Sequence, residues 1–276
     1  MNEIYQKLTG CYDSIKGRIP FKPQIALILG SGLGDYAESI QVEAVIDYHD
    51  IDGFPVSTVP GHKGRFIFGY VEHVPVVIMQ GRVHYYEGYP MHDVVLPARL
   101  MKMMGAEILF LTNAAGGVNY DFQAGDFMLI TDQIANFVPS PLVGANLDEL
   151  GTRFPDMSEI YTKSLQEVIL TAAKRLGIKL QQGVYVQNSG PNFESPQEVR
   201  MCRVLGGDAV GMSTACEAIA ARHMGMQICG ISCISNLACG MSETPLSHAE
   251  VQETADRVAP LFKQLVTASI AGMAKP

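Results

Sequence analysis

Short apolar runs separated by polar or glycine-containing segments recur along the chain. They cover residues 25–29, 66–71, 74–80, 107–112, 127–130, 184–187, 209–211 and 227–235. Continuous apolar runs of this length, bounded by turn-forming residues, are typical of strands that are buried on both faces of a sheet. The pattern therefore predicts a sheet-based fold.

Several of the segments between these runs carry a helical pattern. Helices are predicted over 93–104 (with Pro97 in the first turns), 156–176, 195–203, 214–224 and from 247 towards the C-terminus. Gly177 and Gly225 stand where C-caps are expected, and capping boxes begin at Ser195 and Ser247. Strands that alternate with helices predict an α/β fold around a largely central sheet. The segment 138–153, rich in Pro, Gly and Asn, is predicted to be a long irregular loop.

The composition predicts one large, well-packed domain. Of the 276 residues, 47% are apolar and only 17% are charged, so we expect a single α/β domain over 1–276. No apolar stretch is long enough to span a bilayer, and the N-terminus lacks the layout of a signal peptide. We therefore expect a cytoplasmic protein without a membrane segment.

The net charge argues against binding to nucleic acid, and the cysteine pattern argues against disulfides and a zinc site. The formal net charge of −8 argues against a nucleic-acid partner. The 6 cysteines show no C-x-x-C spacing and mostly lie in apolar surroundings. A disulfide framework and a zinc site are therefore not expected, and reduced thiols are.

The most informative segment follows the apolar run 74–80. Arg82, His84 and Tyr86 stand at alternate positions there, so on an extended backbone their side chains would project to one side. A guanidinium, an imidazole and a phenol in one space make a poor core and a good site for an anion and hydroxyl groups. The alternative is a solvated strand end with an ion pair.

Other predicted strands are also followed by residues suited to binding. Gly30–Gly34 holds Ser31 among glycines that allow close approach of an anion, although Asp35 at the third glycine position excludes a dinucleotide fingerprint. The small residues 113–117 are interpreted as a loop with accessible amides. A purely structural turn is the alternative for Gly30–Gly34.

A third set of residues suits a planar heterocycle. Phe193 could stack on a planar ring, and the carboxylate of Glu194 could accept a hydrogen bond from that ring. Alternatively, Glu194 could be a surface acid near a helix start.

Met212 and Ser213 precede a predicted helix, whose N-terminal amides favour anions. Since ligands bind beyond the carboxyl ends of strands in open α/β sheets, these loops are expected to converge.

Six motifs together closely resemble the trimeric purine nucleoside phosphorylases. They are Gly30-Ser-Gly-Leu-Gly34, Gly61-His-Lys-Gly-Arg65, Gly81-Arg-Val-His-Tyr-Tyr-Glu-Gly-Tyr-Pro90, Thr112-Asn-Ala-Ala-Gly-Gly117, Gly190-Pro-Asn-Phe-Glu194 and Asp208-Ala-Val-Gly-Met-Ser-Thr214. The resemblance runs from about residue 20 to the C-terminus. It implies a single α/β domain whose central mixed sheet partly closes into a barrel flanked by helices, assembled as a homotrimer. It also implies phosphorolysis of purine (deoxy)ribonucleosides, with phosphate as co-substrate and no cofactor or metal.

The resemblance assigns roles to individual positions. The implied phosphate site comprises Ser31, His62, Arg82, His84, the backbone at Ala114, and Ser213. The implied pentose site comprises Tyr86, Met212 and His248. The implied purine site comprises Phe193, Glu194, Asn236 and Val251, and Phe154 of a neighbouring subunit closes it. His84, Glu194, Asn236 and His248 are the implied catalytic residues. Ser235 is a mild departure from the family pattern that keeps a hydroxyl, and 237–247 is less similar.

Hydrogen-bond polarity and competing families limit the substrate. Glu194 can accept from the N1–H of hypoxanthine or guanine but not from adenine, so inosine and guanosine are the expected substrates. Preference for xanthosine stays open, whereas Asn236 and His248 argue against a 5′-methylthioadenosine phosphorylase. Ser213 lies in a near match to a serine-hydrolase elbow, with Ala215 at the required glycine. A non-catalytic nucleoside-binding protein is the third alternative.

Overall fold

The computed structural model describes residues 2–59, 62–241 and 248–274, with no side-chain description for 248–250. The strands are β1 (Ile25–Leu29), β2 (Gln41–Asp47), β3 (Arg65–Val71), β4 (Val74–Gln80), β5 (Ile108–Gly117), β6 (Phe127–Ile134), β7 (Leu180–Gln187), β8 (Ala209–Gly211) and β9 (Gln227–Leu237). The helices are α1 (Glu3–Ile15), α2 (Met91–Val94), α3 (Leu96–Met103), α4 (Lys163–Leu176), α5 (Pro196–Val204), α6 (Ala215–His223) and α7 (His248–Gly272).

The strands form one mixed sheet that partly closes on itself. Its order is β2-β3-β4-β1-β5-β8-β7-β6-β9 over 9 strands, and β9 also pairs with β5, which closes the last five strands into a barrel. The pairs β1–β4, β1–β5, β5–β9, β6–β7 and β7–β8 are parallel, and the others are antiparallel. The predicted fold class, an α/β domain with a partly closed mixed sheet, is confirmed.

The core lies on both faces of the sheet, which explains the continuous apolar runs. In β1, Ala26 and Ile28 belong to one cluster, which α1 and α3 also line. Ile25, Leu27 and Leu29 belong to the other cluster, together with residues of α4 and α7. Because successive side chains point to opposite faces, a strand covered on both sides must be apolar at every position.

Two elements carry too weak an apolar signal to appear in the sequence prediction. The strand β2 lies at the edge of the sheet and pairs only with β3, and Val42 and Val45 remain more than 40% exposed. The helix α1 buries only Leu8, Cys11 and Ile15. An element at the surface needs only a narrow apolar stripe, so its sequence looks polar.

The prediction that 113–117 is a loop is wrong, because β5 continues through this segment to Gly117. Ala114 pairs with Cys233 of β9, and Gly117 pairs with Ala209 of β8. Alanine and glycine disfavour strands on their own, but pairing on both sides overrides that preference. The partner strand β9 likewise extends past 235 and includes Asn236.

Helix boundaries differ from the prediction in two places. The helix predicted over 93–104 is divided at Val95 into α2 and α3, and Pro97 lies in the first turn of α3 as expected. The helix predicted from 156 begins only at Lys163, so the irregular segment extends from 135 to 162. The capping box predicted at Ser247 begins outside the described residues.

The 6 cysteines are free, and among them only Cys239 is not fully buried. Among the described residues, no three His, Cys, Asp or Glu side chains lie close enough together to hold a metal ion. Across the same part of the chain, no helix has both the length and the apolar character that crossing a bilayer requires.

Candidate active site

One cavity of about 450 Å³ gathers most of the predicted site residues. It opens beyond the carboxyl ends of β1, β4, β7 and β8 and along the last residues of β5 and β9. The predicted residues that line it are Ser31, Arg82, His84, Tyr86, Ala114, Phe193, Glu194, Met212, Ser213, Asn236 and Val251. The predicted convergence of loops that are distant in sequence is therefore confirmed.

Arg82 is fixed in the cavity wall by contacts on two sides. Its Nε donates to Oε1 of Glu217 (3.0 Å) and its Nη1 donates to the backbone oxygen of Thr112 (3.0 Å). The Nη2 atom is buried and has no hydrogen-bond partner among the described residues. A buried guanidinium without an acceptor is costly, so Nη2 is suited to receive an anion from the cavity.

Glu87 organises the imidazole of His84. Its Oε1 accepts from the backbone N–H of His84 (2.8 Å) and lies 3.1 Å from His84 Nδ1. The Thr58 hydroxyl donates to its Oε2 (2.8 Å). Burial raises the pKa of Glu87, but the hydrogen bonds from His84 and Thr58 outweigh it and lower the pKa to about 2. The carboxylate stays charged and favours the tautomer of His84 with its hydrogen on Nδ1.

Tyr86 lies beside His84, although not on an extended backbone. It belongs to a 3₁₀-helix over Tyr85–Glu87, and its ring stacks on His84 with centroids 4.7 Å apart and planes at 16°. The predicted placement in one space is confirmed, but the predicted strand-like alternation holds only from Arg82 to His84. Burial lowers the pKa of His84 and raises the pKa of Tyr86 to about 12, so both rings are neutral near pH 7.

His62 lies behind His84 and does not line the cavity. Its Nδ1 lies 2.8 Å from the backbone oxygen of Arg82, and the two imidazole centroids are 5.4 Å apart. Its Nε2 is buried and has no hydrogen-bond partner in the described part of the chain. Burial, reinforced by the neighbouring His84, lowers the pKa of His62 to about 4.

A sharp turn before α6 presents the hydroxyl of Ser213. Thr214 has φ 80° and ψ −57°, and the backbone N–H of Ala215 donates to the oxygen of Ser213 (2.9 Å). This is a γ-turn of the strained, positive-φ kind. The Thr214 hydroxyl accepts from Asn113 Nδ2 (3.0 Å) and lies 3.1 Å from the Ser213 hydroxyl, which lines the cavity.

The glycine-rich turn after β1 packs closely against β5, and it also contributes one residue to the cavity. A Cβ on Gly30 would come within 2.5 Å of the Cα of Asn113, so this turn can approach β5 only without a side chain. Gly32 has φ 75°. Ser31, between them, lines the cavity.

The carboxylate of Glu194 is held at the opposite part of the cavity. Its Oε1 accepts from Nδ2 of Asn188 (2.8 Å), and the backbone N–H of Asn188 donates to the oxygen of Gly211 (2.8 Å). Glu194 is buried, whereas the neighbouring ring of Phe193 is 39% exposed at the cavity mouth. One carboxylate oxygen therefore has a protein donor, and the other, which has none within the described ranges of the chain, is available to a ligand.

The side-chain amide of Asn236 is oriented by the residue before it. The hydroxyl of Ser235 donates to Oδ1 of Asn236 (2.9 Å), and Nδ2 of Asn236 donates to the backbone oxygen of Leu237 (3.1 Å). A primary amide has two N–H groups, so one remains for a ligand in the cavity. The backbone oxygen of Leu237 can only accept, so it fixes Nδ2 as the donor, and the hydroxyl retained at Ser235 then donates to Oδ1.

Comparison with known proteins places the chain in a family. A sequence profile described as the phosphorylase superfamily matches residues 24–271. The chain belongs to the phosphorylase superfamily. It is 52% identical to "Purine nucleoside phosphorylase 1" of Geobacillus stearothermophilus over 261 residues, which covers 95% of each chain. It is 42% identical to "Purine nucleoside phosphorylase" of Bos taurus over 261 residues, covering 91% of this chain and 90% of the relative.

A solved structure agrees with these relatives. Schistosoma mansoni purine nucleoside phosphorylase in complex with inosine superposes with a TM-score of 0.93 at 36% identity, covering 98% of both chains. The predicted resemblance to the purine nucleoside phosphorylases is thus confirmed. The chain is a member of this group of phosphorylases, whose reaction is phosphorolysis of purine nucleosides.

Not every residue that the family resemblance singled out is seen to line the cavity of the single subunit, and His62, as described above, lies behind it. Phe154 is 87% exposed and is not among the lining residues. The side chain of His248 lies outside the described residues, and only its backbone, at the start of α7, is placed.

Three residues that hold cavity side chains in place were missed in the sequence. Glu87 and Glu217 contact His84 and Arg82, and Asn188 contacts Glu194. Thr214 and Glu217 have the spacing of a capping box, which could have drawn attention to Glu217. No sequence pattern marks Glu87 or Asn188, because their partners are known only from the fold.

Proposed function

We propose that phosphorolysis takes place in the 450 Å³ cavity, with phosphate bound at one end and the purine at the other. One observation carries this proposal. The anion-binding groups of Arg82, His84 and Ser213 line the same cavity as the purine-reading groups of Glu194 and Asn236. A ligand that bridges a phosphate and a planar base satisfies both ends at once.

Ser31, Arg82, His84, Ser213 and the backbone at Ala114 form the proposed phosphate end of the cavity, with His62 behind it. Arg82 supplies the fixed charge, and Nη2 is the donor that has no partner within the described chain. Since burial keeps His62 and His84 neutral near pH 7, they act as hydrogen-bonding groups before phosphate arrives. Positioning a phosphate oxygen against C1′ of the sugar is the main task of this end.

Phosphate is the nucleophile, so the proposed mechanism requires no covalent enzyme intermediate, metal or cofactor. Cleavage of the glycosidic bond gives an oxocarbenium-like sugar, as in glycoside chemistry generally. The purine leaves with developing negative charge. The amide N–H of Asn236 that has no described partner can donate to purine N7 or O6 as that charge develops, which lowers the barrier.

We propose that 6-oxopurines such as those of inosine and guanosine are the preferred bases. Glu194 offers one oxygen that has no donor among the described residues, and the N1–H of a 6-oxopurine can donate to it. Adenine presents a lone pair at N1, so its binding would leave a buried carboxylate oxygen unpaired. Mismatches of this type can discriminate by factors of about 10⁴. Xanthosine, which also has a 6-oxo group, is the second candidate.

The proposed pentose site lies between these ends. Tyr86 and Met212 line the cavity beside the phosphate ligands, whereas Val251, which the resemblance implies for the purine site, lines it from α7. The family resemblance implies that His248 lies near the 5′-hydroxyl. That role for His248 remains a proposal drawn from the resemblance.

We propose that the active protein is a cytoplasmic homotrimer in which Phe154 closes the cavity of a neighbouring subunit. The high exposure of this aromatic ring, on the long irregular segment between β6 and α4, supports a role in an interface. Light scattering tests the assembly directly: a mass of three chains is expected, and a monomer would contradict it.

Measurement of base release from inosine with and without phosphate tests the proposed reaction. A phosphorylase releases hypoxanthine only with phosphate, a hydrolase releases it without phosphate, and a binding protein releases none. Ser213 is the candidate nucleophile of a hydrolase, but its hydroxyl faces Thr214 (3.1 Å) rather than an imidazole. Phosphate-independent release would overturn the proposed function.

A further inference from the structure

We propose that Glu217 is a positioning residue that joins Arg82 and the turn at Ser213–Thr214 into one phosphate-binding unit. Glu217 does not line the cavity. Its two carboxylate oxygens contact two segments that are distant in sequence, and each segment carries a cavity residue. The inference rests on the proposed phosphate site.

The contact of Glu217 with Arg82 determines which donors face the cavity. A guanidinium has five N–H groups in a fixed plane. Glu217 accepts from Nε (3.0 Å) and Thr112 accepts from Nη1 (3.0 Å), so the plane of Arg82 is fixed by two bonds. Nη2 is left without a partner in the described chain and is available to phosphate. Without Glu217, the guanidinium could rotate about its stem and lose this aim.

The contact of Glu217 with Thr214 stabilises a strained backbone. The backbone N–H of Thr214 donates to Oε2 of Glu217 (3.0 Å). A β-branched residue at φ 80° is unfavourable and persists only where its surroundings hold it. The same turn places the Ser213 hydroxyl at the cavity. Glu217 therefore positions Ser213 indirectly, through the backbone of the turn, and positions Arg82 directly, by a hydrogen bond to its guanidinium.

A carboxylate suits this position because it can accept from both donors. Arg82 and Glu217 are 2% and 1% exposed, so neither contact is shared with bulk water. A glutamine of the same length has a single acceptor oxygen, and its amide group would face either Arg82 or Thr214 with donor against donor. Replacement by glutamine therefore removes one of the two contacts with little change in volume.

The first experiment is steady-state kinetics of Glu217→Gln with phosphate and inosine varied separately. We expect the KM for phosphate to rise about tenfold or more, and the KM for inosine to stay within about twofold. The direction of the change is decisive. If Glu217 only compensated the charge of Arg82, its neutralisation would strengthen phosphate binding and lower this KM. An unchanged or lower KM for phosphate would overturn the proposal.

A matched control and a double-mutant cycle separate positioning from general damage to α6. Cys216 precedes Glu217 on α6, is equally buried, and contacts Gln187 instead of the phosphate-end residues. Cys216→Ala should leave the KM for phosphate unchanged. In an Arg82→Lys background, which lacks Nε, Glu217→Gln should raise the KM for phosphate much less than in the wild type. Equal effects in both backgrounds would show that Glu217 does not act through Arg82.

A second variant keeps the test decisive if Glu217→Gln does not fold. Glu217→Asp retains the charge but is too short to reach both donors, so it should also raise the KM for phosphate selectively. Kinetics of the wild type distinguish failure of the proposed function from failure of the positioning role of Glu217. If wild-type base release does not require phosphate, the proposed function fails. If it does, and both Glu217 variants bind phosphate as the wild type does, only the positioning role fails.

Discussion

Nδ2 of Asn188 donates a hydrogen bond of 2.8 Å to Oε1 of Glu194. Asn188 directly follows β7, and its backbone N–H is bonded to Gly211 at the end of β8, so the amide is anchored to the barrel. Glu194 lies six residues further on, on the connection between β7 and α5. The hydrogen bond from Asn188 therefore holds the carboxylate of Glu194, which is proposed to bind the purine, in a fixed position relative to the barrel.

Asn188→Leu removes this donor with little change in size. We expect the KM for inosine to rise about tenfold and the KM for phosphate to stay unchanged, because a hydrogen bond to a buried charged group is lost only at the purine end. Steady-state kinetics with each substrate varied provides the measurement. Asn192→Ala is the control, since Asn192 is exposed on the same segment and, in the described part of the chain, its side chain donates to the backbone oxygen of Phe193 and not to Glu194. Equal effects of both variants would contradict the role of Asn188.

Asn236→Ala removes the proposed donor to the leaving base. Loss of one donor that acts on developing charge typically costs about 3–4 kcal/mol of barrier. We expect kcat for inosine to fall by about two orders of magnitude or more. Single-turnover release of hypoxanthine measures the chemical step, and near-normal turnover would show that Asn236 does not stabilise the leaving group.

Asn236→Asp exchanges an amide donor for a carboxylate acceptor at the same place. A 6-amino group can donate to a carboxylate, whereas a 6-oxo group cannot. The ratio of kcat/KM for adenosine to that for inosine should therefore increase. Ser235 still donates to the side chain at 236, so its orientation should be kept. If the ratio does not change, the side chain at 236 does not read the 6-position.

The buried imidazole of His62 should make stability depend on pH. Burial lowers its pKa to about 4 in the folded protein, against about 6.5 in the unfolded chain, which therefore binds more protons between these values. The free energy of unfolding should fall as the pH is lowered from about 6.5 to about 4. His62→Asn, which keeps a donor for the oxygen of Arg82, should weaken this dependence.

Urea unfolding midpoints of the wild type and His62→Asn over this pH range test the prediction. His73→Asn, at an exposed position in the turn between β3 and β4, controls for the loss of an imidazole as such. Parallel pH curves for the wild type and His62→Asn would show that His62 does not contribute.

The sequence predicted the interior strands well and the surface elements poorly. All five residues of β1 are buried between two layers, so the run of five apolar residues marks it without ambiguity. β2 and α1 bury only a few side chains and carry little signal. The segment 113–117 was interpreted wrongly as a loop because its alanines and glycines favour turns, and only pairing with β8 and β9 makes it a strand.

Most of the candidate site was also predictable, since it consists of polar or small residues that follow apolar strands. Arg82 and Asn236 stand out because each interrupts or follows an otherwise apolar run, and Glu194 stands out because it lies beside Phe193 just before a helix start. The residues that hold them do not stand out. Glu87, Asn188 and Glu217 are ordinary polar residues in the sequence, and their importance depends on which side chain lies opposite.

By itself, the sequence determined the fold class, the family and the set of chemical groups, because apolar periodicity and short motifs are local properties of the chain. Only the tertiary structure decided how these side chains are oriented in the cavity. The side-chain amide of Asn236, the carboxylate of Glu194 and the guanidinium of Arg82 are oriented by Ser235, Asn188 and Glu217. Of these, Asn188 and Glu217 act on partners that are 6 and 135 residues away along the chain. Hydrogen bonds depend on distance and direction in space, which the order of residues does not specify.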